Sequence, residues 1–167
     1  MKSRKRLFFV ALLAAIILAL PALALANKQI FKARLSSAAE LHEVVGASAS
    51  GAAIFGVRPD GMTFMLNVRG LSGPATGAHI HAPASTSENA PVVISLCGNP
   101  APAAVATCTT DADGNLQIQG DINSSLLAQW GVTAAQLLSW FNSDSAYVNV
   151  HTALNPAGEA RGQIVPQ

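Results

Sequence analysis

Tyr147-Val148-Asn149-Val150-His151, then Asn155-Pro156-Ala157-Gly158, then Glu159-Ala160-Arg161-Gly162-Gln163-Ile164 read as strand, turn and strand. Strand geometry turns alternate side chains to opposite faces, so Tyr147, Asn149 and His151 share one face and Val148 and Val150 the other. A second short segment, Ala78-His79-Ile80-His81, sorts its residues the same way, with two imidazoles together and Ile80 opposed. Three of the four histidines of the chain therefore fall in two strand segments. Where those strands are neighbours, His79, His81 and His151 converge, and three imidazoles can hold copper or zinc.

Outward from these segments the pattern continues. Candidate strands cover 31–35, 51–57, 62–68, 77–81, 92–96, 116–119, 146–151 and 159–165. Turn chemistry separates them, as in Pro59-Asp60-Gly61, Ser72-Gly73-Pro74 and Asp113-Gly114-Asn115. Strands at this spacing fit an antiparallel sandwich or Greek-key barrel. One stretch departs from the rhythm. Thr133 as N-cap, Gln136 at the capping-box position and the apolar Leu137, Leu138, Trp140 and Phe141 predict a short helix over an open end of the sheet.

The N-terminus has the form of an export signal. Lys2, Arg4, Lys5 and Arg6 precede an apolar run from Leu7 to Leu20, and Ala24-Leu25-Ala26 forms a small-x-small cleavage site. The run approaches the ~20 residues of a membrane span, but Pro21 and the cleavage pattern favour removal of 1–26, with no membrane attachment afterwards. Removing 26 of 167 residues leaves 141, one domain of 27–167 with room for a real core. It takes four cations with it, leaving six Lys and Arg against nine Asp and Glu. That balance argues against nucleic acid as a partner. The expected location is extracytoplasmic: secreted, or in the periplasm or cell envelope. There, Cys97 and Cys108 are expected to form one disulfide over a small Pro/Ala-rich loop.

The motif set resembles the CHRD (chordin-type) domain family, known from bacterial exported proteins and animal chordins. The likeness rests on Gly70-Leu71-Ser72-Gly73-Pro74, Ala78-His79-Ile80-His81 and the 147–164 segment, and spans about 31–165. It implies an all-β, antiparallel Greek-key sandwich or barrel, immunoglobulin- or superoxide-dismutase-like, with one short helix. The expected function is that of a non-enzymatic extracytoplasmic module that binds a protein partner or ligand at the sheet end bearing the histidines; the alternative is a copper- or zinc-binding protein that uses the three histidines, with redox chemistry open to it. The two histidine strands also resemble those that carry copper ligands in copper/zinc superoxide dismutases, which implies His79, His81 and His151 as copper ligands. No histidine lies between His81 and Tyr147 to act as a bridging ligand, so the resemblance implies a site without implying dismutation.

Around the three histidines, Asn149, Glu159 and Arg161 are the candidates for orienting the ligands. Glu159 is expected to accept from an imidazole or pair with Arg161, and His42 is a candidate fourth ligand if its loop folds near. No Gly-x-Ser-x-Gly elbow or phosphate-binding glycine loop occurs, so no catalytic residue is assigned.

Overall fold

The computed structural model describes residues 29–46 and 48–167; the expected signal segment, 1–26, lies outside the described residues. Nine strands form one sheet: β1 (Ile30–Ser36), β2 (Ser50–Arg58), β3 (Gly61–Arg69), β4 (Ala75–His81), β5 (Val92–Gly98), β6 (Ala104–Ala106), β7 (Leu116–Asn123), β8 (Tyr147–Thr152) and β9 (Ala160–Pro166). Their order is β6-β5-β4-β8-β9-β1-β2-β3-β7, antiparallel except for β5 with β6. The two edges, β6 and β7, come back to face each other. The sheet is a nearly closed barrel, and of the two architectures expected from sequence the barrel is the one realised.

Period-two alternation builds the interior. Phe31, Ala33 and Leu35 of β1, Phe64, Leu66 and Val68 of β3, and Ile80, Val148 and Val150 of β4 and β8 all belong to one buried cluster. Closure at the seam needs a residue without a side chain. A Cβ on Gly120 of β7 would lie 2.4 Å from Val105 Cγ1 of β6, so glycine lets the two edges approach. Two cross-links hold β6 there. The Cys97–Cys108 disulfide, with Cα atoms 5.1 Å apart, ties the segment after β6 back to β5, and Trp130 Nε1 donates to the Ala103 carbonyl at 2.8 Å.

Among the described residues two α-helices are present where the sequence predicts one. The expected helix is α2 (Ala134–Asn142), and the Thr133 hydroxyl accepts from the Gln136 N–H as a cap. The additional helix, α1 (Ser124–Gln129), starts directly from the end of β7, where Asn123 accepts from the Leu126 N–H. α2 closes one end of the barrel. Phe141 inserts edge-on between Phe31 and Phe55, at centroid distances of 5.2 and 5.1 Å. Fully buried aromatics in this arrangement contribute both area and ring–ring attraction. Phe141→Ala is expected to cost about 3–5 kcal/mol in urea unfolding, and a loss below about 1 kcal/mol would contradict this role for α2.

Candidate metal centre

β4 pairs with β8 so that Gly77 lies opposite His151, His79 opposite Asn149 and His81 opposite Tyr147. Because Ile80, Val148 and Val150 face the barrel interior, the histidines face outward. They occupy the outer wall of the barrel, rather than its end, and loops cover them. His79 and His81 are nevertheless 6% and 8% exposed, and His151 is half-buried.

Gly77 makes the convergence possible. A Cβ at that position would lie 2.7 Å from His79 Nε2 and 2.8 Å from its Cε1. The missing side chain lets the His79 ring fold back along its own strand toward His151, bringing the two ring centroids to 4.8 Å. His81 lies 5.9 Å from His79 and 6.1 Å from His151, centroid to centroid. One ring nitrogen from each of the three comes within 4.8 Å of the others.

Each ring has one nitrogen held by a backbone carbonyl and one left over. His79 Nε2 bonds the Asn99 carbonyl, His81 Nδ1 that of Ala90 at 2.8 Å, and His151 Nδ1 that of Pro156 at 3.1 Å. A carbonyl only accepts, so in each case the ring nitrogen must donate, and the tautomer follows. The remaining atoms, His79 Nδ1, His81 Nε2 and His151 Nε2, are buried and have no hydrogen-bond partner among the described residues. Each is a lone pair removed from water without compensation, an arrangement that ordinarily costs about 1–3 kcal/mol per group.

Burial also sets the charge state. It pushes His79 down to about 4, assisted by the neighbouring His151, and His81 down to about 4, with Arg161 and His151 adding to the effect. His151 is lowered by burial and by His42. All three rings are therefore neutral at pH 7, with their lone pairs available.

The ligand-orienting candidates divide. Asn149 sits on the same outer face, across from His79, and its amide approaches Glu40 Oε2 at 3.5 Å. Arg161 does not pair with Glu159. Its guanidinium lies 3.5 Å from the Tyr147 ring centroid and donates to Asn89 Oδ1, the Ser85 carbonyl and the Glu88 carbonyl. Tyr147 in turn stacks on His81, with planes 5° apart and centroids at 4.8 Å. Arg161 thus clamps the 82–91 loop, whose Ala90 carbonyl holds His81. Cation–π attraction and charged hydrogen bonds offset the cost of burying that guanidinium.

Glu159 does not reach the histidines. It is fully buried and accepts from the Ser72 N–H and hydroxyl, the Thr152 hydroxyl and Asn155 Nδ2. Burial opposes its ionisation, but these donors outweigh burial and hold the carboxyl below its ordinary range. Its position just before β9 directs it into the 152–158 turn, away from the wall bearing the imidazoles. His42 is not a fourth ligand either: Nε2 bonds the Gly158 carbonyl at 3.0 Å and Nδ1 faces Glu40 at 3.8 Å. Sequence reasoning missed Glu40, whose carboxyl is raised to about 7 by burial against the opposing effects of His42, Arg161 and Asn149. It also missed Gly77, for which the His-x-His spacing two residues later was the available signal.

These shifts predict how the metal-free protein responds to acid. A histidine whose folded pKa lies below its unfolded value of about 6.5 contributes stability that is lost as pH falls toward the folded value. Glu40, raised when folded, acts in the opposite sense, its contribution growing as pH falls through about 7. Three lowered imidazoles outweigh one raised carboxyl. Unfolding free energy is expected to decline by a few kcal/mol between about pH 6.5 and 4, more steeply in Glu40→Gln. A flat profile in urea titrations across that window would contradict the buried neutral rings.

The sequence profile of the CHRD domain family matches residues 31–164, which include all three histidines and both cysteines. A search of curated proteins finds no match. The chain belongs to the CHRD domain family.

Proposed function

We propose that this CHRD domain protein is an exported binding module whose ligand is a single transition-metal ion, Cu(II) or Zn(II), held by His79, His81 and His151. One observation carries the reading: three neutral imidazoles from two paired strands each present a buried nitrogen that no group among the described residues satisfies. Water or a proton can satisfy one such nitrogen, but three on one wall have the donor chemistry of a His₃ centre. Imidazole donors favour Cu(II) and Zn(II) over harder ions. The carbonyls of Asn99, Ala90 and Pro156 supply the outer hydrogen bonds that fix a metal-binding tautomer.

An ion at about 2.0–2.1 Å from each nitrogen spans at most about 4.2 Å between ligands. A tetrahedral site sets its ligands only about 3.4 Å apart, so the separation of up to 4.8 Å calls for the rings to draw together by roughly 1.4 Å. His151, the least buried of the three, has the most freedom to do this. With three protein ligands a fourth position stays open. Among the described residues no further histidine joins the cluster.

Titration of the metal-free chain with Cu(II) or Zn(II), followed by calorimetry, is expected to give one ion per chain. At a free-metal concentration of ~1,000 Kd the folded state gains about 4 kcal/mol and a higher Tm. His81→Ala and His151→Ala should each weaken binding by more than the ~10–100-fold typical of removing an outer hydrogen bond. Absence of binding in the unaltered protein, or undiminished affinity in both variants, would overturn the assignment.

A further inference from the structure

We propose that the metal-loaded site takes one small inorganic anion at the position the imidazoles leave open. This rests on the metal reading above and names the ligand class that the loaded site would capture. The donor set is wholly neutral. The second nitrogen of each ring donates to a backbone carbonyl rather than a carboxylate, so the outer partners bring no charge either.

The fixed charge beside the rings is basic: the Arg161 guanidinium lies over the Tyr147 ring, which stacks on His81. The two nearby carboxyls are engaged elsewhere. Glu159 is enclosed by Ser72, Thr152 and Asn155, and Glu40 sits beyond Asn149, beside His42. A divalent ion on three neutral nitrogens thus keeps its double positive charge in a half-buried place where water screens it poorly. An anion from solvent is the remaining source of compensation.

The geometry provides the entry. A cleft of about 280 Å³ opens onto the three histidines between Thr76, Val92, Asn99 and Pro156. That volume admits an ion of a few atoms with room to spare, and the Asn99 side chain is of a type that donates hydrogen bonds. Thr76 is exposed at the rim, where a change of charge can be made without touching a ligand.

The test uses the full chain loaded with Cu(II) and titrated with azide, followed by absorption and electron paramagnetic resonance. A saturable charge-transfer band at one azide per copper, with a concurrent change in the resonance spectrum and competition by chloride, is expected. Thr76→Glu supplies the missing negative charge, so it should keep copper and lose azide affinity by at least about tenfold, while Thr76→Gln stays within about threefold of the parent. Copper held by three nitrogens but indifferent to azide would overturn this inference alone, as would equal behaviour of the Glu and Gln variants. Copper that never acquires three nitrogen ligands would overturn the metal reading beneath it.

Discussion

The pairing of β4 with β8 determines both the inside and the outside of this barrel. Ala78 opposite Val150 and Ile80 opposite Val148 commit one face of the pair to the core. The same register leaves His79, His81 and His151 no choice but the outer face, because a one-residue slip would exchange every side chain between faces. Hydrophobic burial thereby fixes the histidine positions far more firmly than any contact among the imidazoles. Gly77 completes the geometry by leaving space for the His79 ring to turn toward His151.

On the outer face the loops convert an exposed row of imidazoles into a buried one. Arg161 is central to this, stacked on Tyr147 and bonded to three acceptors of the 82–91 loop. Gln163 adds two more ties, to the Ala84 and Asp144 carbonyls. The Glu159 network does parallel work at the far end of β8, where it binds the 72 and 152–155 segments together. Loops held this way present carbonyls at fixed places, and those carbonyls select the tautomer of each histidine. The result is a set of nitrogens that folding has desolvated without giving them partners.

Much of the architecture was legible in the chain because it follows from local periodicity. Every expected strand is present within a few residues of its predicted limits, and so are the α2 cap and the disulfide. The missed elements, β6 and α1, are three and six residues long. β6 lies in a Pro/Ala-rich segment with no alternation to read, and takes its form from pairing with β5. The histidine trio was legible because the period of two is strict. Its covering was not, since Ala90, Asn99 and Pro156 contribute through the backbone, which carries no residue signature. The same limit explains Glu159. Its spacing from Arg161 suggested a shared face, but it stands before β9 begins, where strand alternation no longer governs direction.

The account depends on three neutral, tautomerically fixed imidazoles whose free nitrogens await one ion. Ring-nitrogen NMR of the ¹⁵N-histidine-labelled, metal-free protein at pH 7 reads this directly, followed by one equivalent of Zn(II). The expected result is a protonated Nε2 on His79 and a protonated Nδ1 on His81 and His151, with zinc shifting the opposite nitrogen of all three rings together. Charged or tautomer-averaged rings, or nitrogens that zinc leaves where they were, would contradict it.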